Sequence, residues 1–269
     1  MRALASLWFV LGTGCSATVL YEPKLQISPY LAVYQLRGDA AVQSRNGGTV
    51  QSNPPQTLRT FGQDRFREDF GVRADLGDGF GGARLDYYRL DMDTTKSGEL
   101  TADWGNLQAG DTVRMRATMD EFRLGYVEPL WTGKFLVRER PLEVRVGAGG
   151  LLTHRGLDLR GRTVDGSRAQ NLELEGDVAY ASARARVSWQ RVQFDVEYGA
   201  SPDLALRGDF GRLQQDLELR LGYTVPMREI TVFAGYRFSD LDASGRAGAL
   251  GYRADLQLEG FQFGVAMTF

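Results

Sequence analysis

From about Ser28 to the final Phe269, apolar and polar residues alternate with period two in ten successive segments, and a helical i, i+3, i+4 pattern is nowhere sustained. Successive side chains of a strand point to opposite faces, so each segment presents one apolar row and one polar row. Strands of this kind need a neighbour on both sides and a cover for the apolar face. Those two requirements leave a sandwich or a closed barrel, and 269 residues is an ordinary size for a single all-β barrel.

The first segment runs near 28–37. The second, near 66–76, puts Phe70, Val72, Ala74 and Leu76 on one face, and Gly77-Asp78-Gly79 turns tightly into the third, near 80–93. The fourth, near 112–127, alternates through Val113, Met115, Ala117 and Met119, then slips by one residue at Asp120-Glu121 before Phe122, Leu124 and Tyr126. Such a slip is what a β-bulge does to a pattern, and slips at Tyr87-Tyr88 and Glu259-Gly260 read in the same way. The remaining six lie near 141–155, 174–189, 192–200, 213–225, 230–239 and 252–269.

Connections alternate in length. Those after the odd strands, roughly 38–65, 94–111, 156–173, 201–212 and 240–251, are long and polar, whereas those after the even strands are mostly short. Both chain ends then fall on the short-turn side. An outer-membrane barrel has this asymmetry and an even strand number, and its strands need about 9–11 residues to cross. Tyr126, Trp131, Phe135, Trp189 and Tyr223 gather beside the short turns, as an interfacial girdle does. The predicted fold is therefore an all-β, up-and-down antiparallel transmembrane β-barrel of about ten strands, within a range of eight to twelve, over residues 18–269.

Residues 1–17 carry Arg2, an apolar run from Ala3 to Leu11 and then small residues, the layout of a secretory signal peptide. Cys15 is the single cysteine, so no internal disulfide forms. It stands where a bacterial lipoprotein signal is cut and the cysteine acylated, although Gly12 replaces the usual Leu; the other reading is cleavage after Ala17. With 32 basic and 34 acidic residues the chain has no net field for nucleic acid. There is no Gly-rich phosphate loop and no zinc spacing, so neither cofactor nor metal is expected. The run from Asp240 to Gly245 opens like a calcium loop, but the twelfth position is Gly251 and not Glu.

The chain closes on Phe261, Phe263, Val265, Met267 and Phe269 at every second position. This ending resembles the C-terminal signature of bacterial outer-membrane β-barrel proteins, a resemblance to a class and to no narrower family. It implies an outer-membrane location, a last strand that the barrel-assembly machinery reads and that closes against the first, and surroundings of outer-membrane lipid and lipopolysaccharide. It leaves the oligomeric state open.

If the apolar rows meet lipid, the alternate rows line the lumen. By phase these carry Arg73, Asp75, Arg84, Asp86, Arg89, Asp91, Arg114, Arg116, Arg123, Glu143, Arg145, Arg184, Arg186, Asp195, Glu197, Glu218, Arg220, Arg237, Arg253 and Asp255. Charges removed from water must be paired, and Arg meets a carboxylate two bonds at a time, so ladders such as Arg73 and Asp75 facing Arg84 and Asp86 are expected. A ten-stranded ring is near the size that side chains fill. The leading expectation is a non-enzymatic structural or surface-interaction protein with a largely filled lumen. The alternative is a narrow porin-like channel for ions or small solutes. A second alternative is a lipid- or lipid A-modifying enzyme built on His154, the single histidine, with Ser182 as its partner; Asp91 or Asp93 with His154 would instead resemble an omptin-like protease site.

Overall fold

The computed structural model describes residues 23–269 apart from 64, 202–204, 212–213 and 227. The signal peptide and Cys15 lie outside the described residues. Ten long strands make the wall: β1 (Lys24–Val42), β2 (Arg67–Gly77), β3 (Gly82–Asp93), β4 (Thr112–Val137), β5 (Arg140–Thr163), β6 (Ala169–Trp189), β7 (Val192–Ser201), β8 (Gln214–Thr224), β9 (Ile230–Ala247) and β10 (Leu250–Thr268). Each pairs antiparallel with its neighbours in sequence, and β10 pairs with β1, placing Ile27 opposite Met267 and Val42 opposite Tyr252. The ring is closed, and the terminal Phe269 joins the seam by donating its N–H to the Leu25 carbonyl at 2.8 Å.

The register fixes the shape. Paired residues lead round the ring from Ser188 through Gln193, Gly222, Phe233, Gly264, Tyr30, Gly71, Tyr88, Glu121 and Arg155 to Gly176, twelve residues away on the strand of departure. With ten strands, that stagger tilts them by about 40°. One residue along a strand then changes height by about 2.5 Å, and one step round the ring by about 3 Å.

On this scale the outer surface divides at one level. Below it the outward rows are apolar and exposed, with Phe70, Val72, Leu85, Tyr87, Phe122, Leu124, Phe194, Leu221, Phe261 and Phe263 among them. Their top is marked on nine strands by Gln35, Glu68, Arg89, Asp120, His154, Asp177, Gln215, Asp240 and Glu259, which share one height to within about 4 Å. The belt below them is about 25 Å tall, the height of an outer-membrane hydrocarbon band. Trp189 and Tyr223 rim its lower edge, and a bulge between Pro129 and Trp131 turns Trp131 and Phe135 outward to join them.

The inner rows change character at the same plane and in the opposite sense. Below it they carry charges on eight of the ten strands; above it they are Leu36, Leu90, Met92, Met115, Met119, Leu157, Leu159, Leu172, Leu174, Leu241, Leu256 and Leu258, all buried. The cause is the solvent outside. Next to hydrocarbon, an apolar side chain gains nothing by turning in and a charge cannot turn out; next to water, the ordinary hydrophobic drive turns apolar groups inward.

The three one-residue slips in the sequence are this plane and not bulges, because the ladders of β3, β4 and β10 run through Tyr87-Tyr88, Asp120-Glu121 and Glu259-Gly260 without a shift. The wall rises about 20 Å above the plane as a dome. Stretches 156–173 and 240–251, expected as loops, are mostly wall of this dome, since β5 and β6 reach Thr163 and Ala169 and β9 and β10 are joined by two residues. Asp240 and Asp242 accordingly sit in β9 and not in a calcium loop.

The two long connections 43–66 and 94–111 fold inward over the dome. A 3-10 turn, Leu58–Phe61, is capped by Thr57 and ended by Gly62 in the left-handed conformation at φ 83°. It seats Phe61 edge-on against Trp104 at 5.0 Å, and Trp104 donates its indole N–H to the Ala40 carbonyl at 3.1 Å. Gln63, also buried, donates to the carbonyls of Met92 and Met115 and ties this cap to the wall.

Candidate functional site

The functional candidate is the lumen, which is filled at three levels. The uppermost is the apolar dome just described. Beneath the plane lies a network of guanidinium and carboxylate groups projected from eight strands. Arg73 reaches across from β2 to donate to Asp86 on β3 through Nε at 3.1 Å and Nη2 at 2.7 Å, and to Glu218 on β8 through Nη1 at 2.5 Å and Nη2 at 2.8 Å. The Tyr30 hydroxyl donates to Asp86 at 2.8 Å. Arg84 binds Asp75 at 2.7 Å and Glu197 at 2.5 Å. The expected ladder is present: Arg73 lies opposite Asp86 and Asp75 opposite Arg84.

Higher up, Glu121 and Asp216 each take two arginines. Arg155 donates to Glu121 at 2.5 Å, to the Tyr180 hydroxyl at 2.7 Å, to Gln214 at 2.8 Å and to Ser239 at 2.8 Å. Arg237 joins Glu121 to Asp216, and Arg123 binds Asp216 at 2.8 Å. These side chains are almost wholly shielded from solvent, Arg155, Glu121 and Arg237 completely so. Arg220 stands apart because it makes no ion pair among the described residues: its Nε and Nη2 find no acceptor, and its Cζ lies 3.6 Å from the centroid of the Phe233 ring.

The short-turn mouth is closed by the β2–β3 turn. Phe80 folds into the ring and is buried, with Arg145, Arg184 and Arg186 over its face at 4.7, 5.3 and 5.7 Å. Arg184 donates to the Phe80 carbonyl at 2.9 Å and Arg186 to that of Gly79 at 2.5 Å. Asp78 braces the turn by accepting the backbone N–H groups of Phe80 and Gly81 and the Arg145 guanidinium. Burial raises the Asp78 carboxyl, but those three hydrogen bonds outweigh it and hold the group below the usual carboxylate range. The cavity behind Phe80, bordered by Asp75, Arg84, Arg184 and Glu197, measures about 30 Å³, room for about one water.

Of the residues read as lumen-lining, Arg73, Asp75, Arg84, Asp86, Arg123, Arg145, Arg184, Arg186, Asp195, Glu197, Glu218, Arg220 and Arg237 are buried or half-buried in the inner rows, and Glu143 sits in the inner row at the short-turn mouth. Arg89, Asp91, Arg114, Arg116, Arg253 and Asp255 are corrections: they share the outward row of their strands with Tyr87, Phe122 or Phe261 and stand on the dome's outer surface. The supposed bulges inverted their phase. Arg155 and Asp216, central to the network, were missed, although alternation from His154 and Leu217 places both inward.

The catalytic couple does not assemble. His154 is half exposed on the outer surface, its Nδ1 2.8 Å from Asp177. Ser182 is buried in the inner row of β6, five residues from Asp177 and on the opposite face of the sheet. Asp91 and Asp93 lie on β3, with all of β4 between them and His154. Phe261, Phe263, Val265 and Met267 form the outward row of β10 within the belt.

No family model and no curated protein matches the chain. Among solved structures it is similar to Ail, the attachment invasion locus protein of Yersinia pestis, at 10% identity over 92% of this chain and 99% of that one, with a TM-score of 0.37. It is also similar to the translocator domain of the autotransporter NalP from Neisseria meningitidis, at 11% identity over 100% and 98% with a TM-score of 0.32. A Pseudomonas aeruginosa FadL homologue matches at 12% identity over 93% and 90%, with a TM-score of 0.29. The architecture itself follows from the closed ladder and the level belt: the protein is a ten-stranded outer-membrane β-barrel.

Proposed function

We propose that the protein is a non-conducting, membrane-anchored platform that holds its water-facing dome above the outer leaflet. One observation carries this reading: the lumen is shut by the apolar dome, by the Arg-carboxylate network and by Phe80, three independent obstructions in series. Lipopolysaccharide would surround the belt and the foot of the dome, and the terminal strand would be the segment that the assembly machinery reads. Conductance in a planar bilayer tests the proposal after heat-modifiable migration has shown a folded barrel. Silence across voltages and salts is expected; discrete, salt-dependent steps would replace the platform with a narrow channel.

A further inference from the structure

Two faces of the dome carry opposite charge, half a ring apart. On β4 and β5, Arg114 lies directly opposite Arg162 and Arg116 directly opposite Arg160. Like charges directly opposed on a sheet face repel. Arg116 is drawn aside by Asp91 and Arg160 by Asp158, whereas Arg114 and Arg162 make no ion pair among the described residues. On the other side, Asp255 of β10 lies directly opposite Asp39 of β1, two like charges face to face across the seam. Of the arginines on that face, Arg37 is held by Glu259 at 2.7 Å, and Arg253 stands two residues above Asp255 in the same outward row.

These faces stand in a definite relation. β5 and β10 are five steps apart in either direction round the ring, hence diametrically opposed. The aspartate pair stands about 10 Å and the arginine pairs about 15 Å above the switch plane, a difference that extended side chains span. The belt beneath agrees in shape. Under the aspartates, Tyr236, Phe261 and Phe263 form an outward ridge of touching rings, with centroids 5.6 and 6.4 Å apart. Under the arginines, at the same depth, the outward rows of β5 and β6 pair Ala148 with Ala183 and Gly150 with Ala181, a smooth strip that a ridge can approach closely.

We infer that the partner these surfaces fit is a second copy of this chain, the aspartate face of one barrel set against the arginine face of the next. The inference rests on the platform reading, because the bilayer holds both copies upright and level. Opposed faces make the contact heterologous and non-closing, so copies add in straight rows within the membrane plane. Asp39, Asp255 and Arg162 are exposed and Arg114 is half-exposed, so each pair is weak and screened by salt.

Energy transfer between donor- and acceptor-labelled copies in phosphatidylcholine vesicles tests this. The natural protein should show transfer that falls at least about twofold between 50 and 500 mM salt. Asp39→Arg with Asp255→Arg leaves two basic faces, and Arg114→Glu with Arg162→Glu leaves two acidic faces; each double variant alone should fall to the level of random mixing. Mixed one to one, they should recover the transfer of the natural protein, which no folding defect can mimic. Absence of salt-sensitive transfer in the natural protein, or failure of the mixture while both variants keep heat-modifiable migration, overturns the inference. Conductance in the same vesicles is a separate reading, so failure here and failure of the platform reading are told apart.

Discussion

Replacing Arg73 by Met removes the one side chain that bridges β2, β3 and β8 through the lumen. Four charge-assisted hydrogen bonds vanish, and Asp86 and Glu218 remain buried. Glu218 keeps Arg123 at 3.5 Å and Asp86 keeps the Tyr30 hydroxyl, so the carboxylates are not wholly abandoned. The expected loss is therefore near the lower end of the range for breaking a buried pair, about 3 kcal/mol of an outer range of about 3–5 kcal/mol. Arg37→Met is the control, because Arg37 is 55% exposed and its pair with Glu259 is worth about 0–1 kcal/mol. Equilibrium unfolding in urea from phosphatidylcholine vesicles, followed by tryptophan fluorescence, reads both. Adding Asp86→Asn and Glu218→Gln to Arg73→Met should restore most of the loss, since the penalty lies in charges left behind. If Arg73→Met costs no more than Arg37→Met, the network is not what holds the lumen and the reasoning is refuted.

Other consequences are as direct. Because the folded Asp78 carboxyl titrates below its unfolded value, its bracing of the Phe80 turn is complete above about pH 4 and disappears as pH falls through the folded value. Protection of the Phe80 and Gly81 amides against hydrogen exchange, measured relative to their intrinsic rates, should therefore be lost only in acid, and in Asp78→Asn it should already be lost at neutral pH and no longer respond to pH. Trp104→Ala empties the dome's core and should cost about 3–5 kcal/mol locally, seen as protease cleavage within 43–66 or 94–111 while the belt keeps its heat-modifiable migration. His154→Ala removes only a half-exposed pair with Asp177 and should leave stability within about 0.5–1 kcal/mol; a loss of lipid hydrolysis on that change would revive the enzyme reading. Gly38 has φ 117° and its missing Cβ would lie 2.1 Å from the Asp255 carbonyl oxygen, so Gly38→Ala should open the seam and slow barrel closure in a folding time course.

Period two is a local property, and it located all ten strands and the ladder pairing of Arg73 with Asp86. It is silent about which row faces inward, because the same alternation serves a barrel in lipid and a barrel in water. In β3 the outward row runs Leu85, Tyr87, Arg89, Asp91 without a break, yet by polarity alone it changes sides at Arg89. Reading that change as a bulge sent Arg89 and Asp91 into the lumen and hid the dome. Height was the missing quantity, and it becomes visible only when all ten registers are combined. The Phe80 plug was out of reach for another reason: a short turn beside a tight Gly pair gives no periodic signal for whether its aromatic points into the mouth or into lipid.

Since inner and outer rows exchange character at a single plane, the register of every long strand is indexed at two places. Slipping β4 by one residue would carry Arg123 into hydrocarbon and, on the same strand, bring Met115 and Met119 out to water while Arg116 entered the dome. No slip of one residue can be right in one storey and wrong in the other. A nascent strand that has found its level for the lower half has thereby found it for the upper, so membrane insertion and dome folding share one alignment step and cannot drift apart.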